Sequence, residues 1–541
     1  MDEQNYSFEG APQPEAPQAP AWTPPPPRVF PVDKRDRAYA LGFLICAMGG
    51  ANGFLMGGLN IAAAVFMTAF MCLACCYILG REDSQKSAYG LAVTVLSAVI
   101  GLSFLRNDDN ALKFLLLVLV LCAYPLGLSI LAGKNRRDTG HITSLLDAGN
   151  AVFIRGFGDG PVAVSSLFKN RTGEKSSGNT WSVVKGLLIA VPVLLVLLSL
   201  LRLADEAFDQ LVAKLPDLEL GEILTTLIFG SLLSFPLLGM CLSLAHEPKK
   251  EYASASRKGA APTTVNTVLI CVCLVYVLYL MSQLAYFVNG FAGLLPSGYT
   301  TAQYARRGFF EMAVICALNL GIIGLAAGLV HKENGLPGLT RGLCLFIAAV
   351  TLFLVGSALS KMFLYIGVYG LTYLRVLTSL FMIWLALAVI LTGISLFRKV
   401  SYMKTLVITA LLIAAVVSWA GLDTFVAKYN VEAYLDGRLE AVDVAYLDRL
   451  DNAAVPYLAE LLDCGDPEVE KQAREVLYGT ARWGTSDIHW DYDEECWVRD
   501  SADIREWNIT RSKASGVLWG LIEDGQLNPK EQDPFYNGFY D

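Results

Sequence analysis

The chain has 541 residues, of which 54% are hydrophobic and 17% charged, and its mean hydropathy is +0.46. This is far more apolar surface than a water-soluble fold can bury, so the composition excludes that class and indicates an integral membrane protein. The formal net charge is −8, and the acidic residues are concentrated in the last part of the chain.

The chain opens with a polar, proline-rich stretch that includes PQPEAPQAPAWTPPPP. The first 32 residues lack the basic and then apolar order of a cleavable signal peptide. Proline-rich segments of this kind adopt no packed structure of their own. We therefore expect a disordered cytoplasmic tail over residues 1–37 and no cleaved leader.

Long apolar runs follow this tail. A helix needs ~20 apolar residues to cross the ~30 Å hydrocarbon layer, where only internally hydrogen-bonded helices or closed barrels are stable. The motif GGLN at residues 57–60 indicates a tight hairpin inside the first long run. About eleven spans are predicted, near residues 38–58, 60–80, 88–105, 111–131, 184–202, 223–245, 264–287, 308–330, 342–362, 372–397 and 403–421.

The number of Lys and Arg residues alternates between high and low in successive connecting loops. Cytoplasmic loops retain Lys and Arg, because moving cationic segments across the membrane is disfavoured. With the N-terminus inside, the inner loops hold most of these residues, from Lys34, Arg35 and Arg37 onward. The opposite loops hold only Arg106, Lys113, Arg202, Lys214, Arg306, Arg307, Lys361 and Arg375. The predicted transmembrane domain is therefore residues 38–421, with the N-terminus cytoplasmic and the C-terminus outside.

The segment after the last span, residues 422–541, is predicted to form a small, acidic, extracytoplasmic domain. Helical periodicity is seen in VEAYLDGRLEAVDVAYLDRL and in DPEVEKQAREVLYG, where Asp466 and Pro467 form a typical helix start. The predicted fold class is all-α: a polytopic transmembrane bundle with a small C-terminal helical extramembrane domain.

Charged residues cluster where the predicted spans meet the outer surface, as in YARRGFFEM at residues 304–312. Arg307 and Glu311 are four residues apart and can pair on one helix face, and Glu311 lies about one turn inside its span. An outward-facing polar cavity is predicted from Tyr304, Arg306, Arg307, Glu311, Lys361, Tyr369 and Arg375. The alternative is ordinary membrane-edge chemistry, in which basic side chains reach out to water and Tyr lies at the interface.

Several motifs resemble a known family. They are YARRGFFEM at 304–312, SALSKMFLYIGVYGLTYLRV at 357–376, KYNVEAYL at 428–435, VAYLDRLDNAAVPYL at 444–458 and REWNITRSKA at 505–514. Together they are similar to bacterial polytopic membrane proteins known only as a domain of unknown function, the four-one-seven-three type. The resemblance covers roughly residues 38–520. The resemblance implies a bacterial plasma-membrane location and a many-helix core with a helical tail. It implies no particular activity.

Three functions remain open. The first is a transporter-like or envelope-sensing protein whose outer cavity binds a small solute or a lipid headgroup. The second is a membrane enzyme, for instance a transferase using a lipid-linked donor, with carboxylates as general base or metal ligands. The third is a signalling or scaffold protein. The carboxylates considered for the enzyme are Asp108, Asp109, Asp205, Glu206 and Glu311.

The expected partners are the lipid bilayer, a lipid headgroup or small solute, and other proteins of the envelope, with no nucleic acid. Four scattered histidines argue against a His-ligated metal. Cys72, Cys75 and Cys76 lie in mid-span without neighbouring His or carboxylate, which favours a packing role. We therefore expect no cofactor and no metal site, assign no catalytic residue, and favour a non-enzymatic role without excluding the enzyme.

Overall fold

The computed structural model describes residues 29–135, 144–167, 220–246, 260–291, 309–330, 336–398, 401–484, 487–491, 496–501 and 503–527, with six isolated positions between 190 and 204. The disordered tail predicted over residues 1–37 lies outside the described residues up to residue 28, whereas residues 34–37 belong to the first helix (Lys34–Gly57). Ten helices within the described ranges are long and apolar enough to cross a membrane. The predicted all-α, multi-pass bundle is confirmed, and the division into three domains stays a prediction.

The first group of helices forms an antiparallel bundle in which α7 runs against α1. Near the end of α1, Asn52 donates to Glu222 at the start of α7 over 2.7 Å. Near the start of α1, Asp36 lies 2.9 Å from His246 at the end of α7. The helices are α1 (Lys34–Gly57), α2 (Ile61–Leu79), α3 (Ala88–Leu102), α4 (Asn110–Leu131), α5 (Leu145–Gly149), a π-helical segment (Asn150–Gly158), α6 (Asp159–Leu167) and α7 (Leu220–His246).

The hairpin predicted at residues 57–60 is confirmed. Gly58 ends α1 with φ 66°, a conformation that is costly for residues with a side chain. The Asn60 amide donates to the Gly57 carbonyl over 2.7 Å and closes the turn. A Cβ atom at Gly53 would lie only 2.6 Å from the Cβ of Ala62. The lack of a side chain at Gly53 therefore allows α1 and α2 to approach closely.

The predicted span at residues 184–202 lies outside the described residues except for scattered helical positions. The described residues on its two sides are at opposite ends of the bundle. Ser166 accepts a hydrogen bond from the backbone of Phe30, just before α1, whereas Glu222 pairs with Arg505 beyond the far end of α1.

The second group of helices is held together by neutral polar contacts in mid-span. Tyr276 donates to Asn319 over 2.6 Å, and the Asn319 amide donates to Thr351 over 2.9 Å. Buried amides and hydroxyls that satisfy one another in this way join helices in an apolar medium. These helices are α8 (Pro262–Phe291), α9 (Phe309–Leu329), α10 (Gly338–Tyr369), α11 (Tyr373–Ser395) and α12 (Tyr402–Ala420).

The bounds of α10 differ from the predicted span at 342–362. The helix continues to Tyr369 and ends at Gly370, which has φ 72°. The prediction stopped early because Lys361 was read as a membrane-edge residue, but a single Lys does not interrupt a helix. The positive φ of Gly370 does interrupt it.

The residues after α12 pack onto one end of the bundle and are called the cap (described residues 422–527); that end is the capped end. Buried residues of the cap and of the bundle belong to one continuous hydrophobic core. The cap is mainly helical, and it also contains a two-stranded antiparallel hairpin that the sequence analysis did not predict. Its elements are α13 (Leu422–Leu435), α14 (Val444–Asp448), α15 (Val455–Glu460), α16 (Pro467–Gly479), β1 (Ile488–Asp491), β2 (Cys496–Arg499) and α17 (Ile509–Glu523).

The opposite end of the bundle carries a fully satisfied buried carboxylate. Asp36 is 1% exposed and accepts hydrogen bonds from the Tyr77 hydroxyl at 2.8 Å and from Arg81 at 3.0 Å. Its other oxygen lies 2.9 Å from Nε2 of His246 and accepts from the backbone N–H of Asp33 at 3.0 Å. Because these partners come from the end of α2, the end of α7 and the residue before α1, this Asp36 cluster ties α1, α2 and α7 together.

Candidate functional site

The turn between α3 and α4 is fastened to the cap at the capped end. The Asn107 amide donates to the carbonyls of Ser103 and Ser418, each over 2.9 Å. Asn508 of the cap donates to the carbonyls of Phe104 at 3.2 Å and Asn107 at 2.7 Å. Buried carbonyls need partners of this kind, so the turn, which contains a short 3-10 helix (Ser103–Leu105), has a defined position.

Two adjacent carboxylates follow this turn. Asp108 accepts from the Asn452 amide at 2.8 Å and from the Arg511 guanidinium at 3.3 Å, both in the cap. Asp109 is the N-cap of α4 and accepts from the backbone N–H of Ala111 at 2.9 Å. Both carboxylates therefore have structural partners, and both hold negative charge where bundle and cap meet.

A buried lysine lies one turn below them. Lys113 on α4 is 2% exposed, and its ammonium donates to the amide oxygen of Asn60 over 2.8 Å. It also interacts electrostatically with Asp108 and Asp109. An ammonium buried at a helix end in this way is costly unless nearby carboxylates compensate its charge.

A third carboxylate, Asp423 in the first turn of α13, is 7% exposed. Among the described residues none donates a hydrogen bond to it. Burial, followed by the charges of Asp109, Asp108 and Asp451, raises its pKa to about 7. The pKa of Asp451 is also raised, first by burial and then by neighbouring carboxylates. We call these four residues, Asp108, Asp109, Asp423 and Asp451, the junction carboxylates.

Tyrosine and arginine side chains from α11 and the cap border this group. The backbone N–H of Tyr373 donates to the Tyr446 hydroxyl over 2.7 Å. Burial raises the pKa of Tyr446, which interacts with both Asp423 and Arg375. The Arg375 guanidinium donates to the carbonyl of Tyr369 at 2.9 Å and stacks over the Tyr365 ring at 4.0 Å. Arg375 thus closes the end of α10 and brings a cation to the junction.

An apolar groove leads from this junction into the bundle. It lies between α4, α11 and α12, has a volume of about 290 Å³, and is lined by residues 112–119, 377–384 and 410–417 of those helices. The Trp384 indole donates to the Leu406 carbonyl over 3.3 Å and fixes one wall. The groove begins one helical turn below Asp109 and Tyr373, so the polar junction and the apolar groove are continuous.

One protein family, described as a domain of unknown function (DUF4153), has a model that matches residues 93–461, more than half of the chain. The chain belongs to this family. No curated protein matches the chain. No solved structure matches it either. The sequence motifs pointed correctly to a family of unknown function, but the four-one-seven-three type was wrong: the family is the four-one-five-three type, DUF4153.

The DUF4153 region contains the junction carboxylates, Arg375 and the walls of the groove. It ends before Asn508 and Arg511, which fasten the cap to the α3–α4 turn. Within the described ranges, no three His, Cys, Asp or Glu residues are placed to hold a metal ion. The site offers carboxylate hydrogen-bond acceptors beside the apolar groove.

The cavity predicted from the sequence is only partly within the described residues. Tyr304, Arg306 and Arg307 lie outside them, and Glu311 is on α9 with a side chain that is also outside. Of the others, Lys361 is half-buried on α10, Tyr369 is exposed, and Arg375 hydrogen-bonds to the Tyr369 carbonyl. The seven-residue cavity stays a prediction, and its member Arg375 interacts with Tyr446, which borders the junction carboxylates.

The sequence analysis singled out Asp108 and Asp109 but missed Asp423 and Asp451. It also named Asp205 and Glu206, which lie outside the described part of the chain. A usable signal for Asp423 was its position two residues after Gly421, where the last span ends. For Asp451 there was no such signal, because its approach to Asp108 depends on how the cap folds back.

Proposed function

We propose that this DUF4153 protein is a bacterial plasma-membrane protein, transporter-like or envelope-sensing, that binds a small solute or lipid headgroup at the junction carboxylates. One observation carries the proposal: Asp423 is nearly fully buried, close to three other carboxylates, and no described residue donates a hydrogen bond to it. Burying a carboxylate without a partner is costly, so such a residue is typical of sites where a ligand supplies the missing donor.

The proposed orientation has the N-terminus in the cytoplasm and the capped end outside the cell. The distribution of Lys and Arg between alternate loops supports this orientation. The ligand would then reach the junction from the extracytoplasmic face. In this reading the predicted cavity residues Tyr304, Arg306, Arg307 and Glu311 belong to the same outer surface as Arg375.

The cap supports a sensing role. Its residues Asn452 and Arg511 bind Asp108, and its residue Asn508 binds the α3–α4 turn. A donor that binds the junction carboxylates competes with these contacts, because an ionised carboxylate has a limited number of acceptor positions. Ligand binding would therefore change how firmly the cap is held.

A specific observation also favours the second function, a transferase using a lipid-linked donor. A general base is most effective when its pKa lies near the operating pH, and the pKa of Asp423 is raised to about 7. The groove beside it offers a place for the hydrocarbon part of a lipid-linked substrate. In that case Asp423 would be the base that accepts a proton from the attacking group.

The test is a survey of lipids and polar solutes bound to the purified protein, identified by native mass spectrometry. We expect the wild-type protein to retain a species that Asp423→Asn loses. The matched control is Asp436→Asn, an exposed residue at the other end of α13. The proposal is wrong if wild type and Asp423→Asn bind the same species to the same extent.

The orientation has its own test. In a variant without native cysteines, Trp483→Cys places one thiol on the cap at a position whose native side chain is 78% exposed. We expect a membrane-impermeant maleimide to label it in intact cells. Labelling only after permeabilisation would place the cap in the cytoplasm and remove the extracytoplasmic site.

A further inference from the structure

The groove between α4, α11 and α12 has walls of Leu, Ile, Val, Ala, Phe and Trp. Along α4 it extends from Leu112 to Leu119, about 10 Å at the rise of an α-helix. Its volume of about 290 Å³ is at the lower end of the ~300–1,000 Å³ typical of small-molecule pockets. A groove of these dimensions can hold part of one hydrocarbon chain, but it is too small for a whole two-chain lipid.

The mouth of the groove is polar on all three helices. Asp109 precedes Leu112 by three residues and Tyr373 precedes Leu377 by four, so each continues the groove-lining face of its helix. On α12 the same face ends at Ala420, whose carbonyl accepts from Arg106 over 3.1 Å. Asp423 follows Ala420 by three residues, in the first turn of α13, and it interacts electrostatically with Tyr373, so this carboxylate lies near the mouth.

We infer that the groove holds one hydrocarbon chain of a membrane lipid whose headgroup carries a primary amine, with the ammonium bound by Asp423 and Asp109. The inference rests on the proposed function, because it names the ligand class of the same site. Arg106 is the cation at the mouth that would face the lipid phosphate.

The charges at the mouth decide the headgroup. A carboxylate only accepts hydrogen bonds, and a primary ammonium offers three donors and a full positive charge. Asp423 has no described donor and three carboxylates near it, so an ammonium relieves the repulsion that a neutral hydroxyl headgroup would leave. An anionic headgroup without an amine offers no cation to offset the charges of these four carboxylates.

The experiment uses the full-length protein in proteoliposomes that contain phosphatidylethanolamine with a photoactivatable diazirine in one acyl chain. A parallel sample contains the matching phosphatidylglycerol. We expect crosslinks in residues 112–119, 377–384 and 410–417, with labelling by the amine lipid about tenfold higher, as expected for one charge-assisted hydrogen bond. Asp423→Asn should remove this preference, and Asp436→Asn should keep it.

Variants that block the groove test the binding of the lipid acyl chain separately from the binding of the headgroup. Ala414→Trp fills the groove, and Val416→Trp adds the same side chain to an exposed position on the same helix. We expect crosslinking to these segments to disappear in the first variant and to remain in the second. Ala410→Trp is the second blocking variant, used if thermal unfolding shows that Ala414→Trp has lost its fold.

The outcomes distinguish the inference from the proposed function. Equal labelling by the two lipids, or labelling unaffected by both blocking variants, overturns the inference. If Asp423-dependent binding of another solute then persists, the proposed function stands. Crosslinks from the groove to another part of this chain or to a second copy would mean that protein occupies the groove. Loss of all Asp423-dependent binding would overturn both.

Discussion

Two buried aspartates at opposite ends of the bundle differ in how their charge is satisfied. Asp36 has hydrogen-bond partners from α2, α7 and its own N-terminal turn, at distances of 2.8 to 3.0 Å. Asp423 has three like charges around it and no described donor. The comparison teaches that burial alone does not mark a site: a satisfied carboxylate holds helices together, and a buried one without a described donor is where we propose that a ligand binds.

The largest expected effect on stability is that of a substitution at Asp36, the aspartate whose charge has hydrogen-bond partners. Asp36→Asn removes the charge that Arg81 and His246 bind, and breaking a buried ion pair costs about 3–5 kcal/mol. Thermal unfolding in detergent, followed by tryptophan fluorescence, should show a large loss of stability. The control is Asp83→Asn, which removes an exposed pair with Lys134 at the same end and should change little. Equal effects of the two substitutions would contradict the structural role of Asp36.

At the capped end, we expect a substitution of Asp423 to raise the stability of the protein instead of lowering it. The pKa of Asp423 is about 7 in the folded chain against ~3.9 when unfolded, so its ionisation costs up to about 4 kcal/mol above pH 7. Below about pH 4 the carboxyl is protonated in both states and the cost vanishes. Between about pH 4 and 7 only the unfolded chain ionises, so wild-type stability falls as the pH rises.

Asp423→Asn should therefore raise the unfolding temperature at pH 8 and leave it unchanged at about pH 4, where the carboxyl is neutral in both states. Asp436→Asn, in an exposed pair with Arg438, should show neither effect. A loss of stability in Asp423→Asn at pH 8 would mean that this carboxylate has a stabilising partner and would remove the contrast with Asp36.

A smaller effect is expected where the cap is fastened. Asn508→Ala removes two hydrogen bonds to buried carbonyls of the α3–α4 turn, and leaving such groups unsatisfied costs about 1–3 kcal/mol. Hydrogen exchange should become faster at residues 103–110 and in α17. Asn110→Ala, at an exposed position at the start of α4, is the matched control. Unchanged exchange would show that these two hydrogen bonds do not hold the cap to the turn.

The smallest effect is expected at Arg375. Arg375→Gln removes a cation that binds the last carbonyls of α10 and stacks on Tyr365, worth about 1 kcal/mol. The unfolding temperature should fall slightly. It should not change in the control variant Arg438→Gln, at an exposed position. Ligand binding adds a second readout: unchanged binding would assign Arg375 to the helix end, and reduced binding would place it in the wall of the site.

Most span positions could be predicted because the cost of unpaired backbone groups in hydrocarbon imposes a minimum length on every apolar run. Residues 111–131 and 403–421, for example, were predicted within one residue of α4 and α12. The end of α10 was missed because Lys361 lies inside the helix and Gly370, eight residues beyond the predicted end, stops it.

The junction was less accessible to sequence analysis. Asp108 was recognised as a membrane-edge carboxylate, but its partner Asn452 lies 344 residues further along the chain. Periodicity and charge describe neighbours in sequence, and contacts over that distance depend on how the cap packs. That no described residue donates to Asp423 is likewise a property of the assembled fold, since the sequence shows only an Asp in a first helical turn, where it is common.

The length of α10 has a consequence for the surrounding bilayer. Its 32 residues extend about 48 Å, against the ~30 Å of an average hydrocarbon layer. A helix of this length tilts, or the lipid beside it thickens, at a cost of fractions of a kcal/mol per Å of mismatch. Because Phe363, Leu364 and Val368 are exposed beyond Lys361, we expect the protein to favour thicker regions of membrane. The lipid composition of its host would then influence the tilt of α10 and the position of Gly370 under the cap.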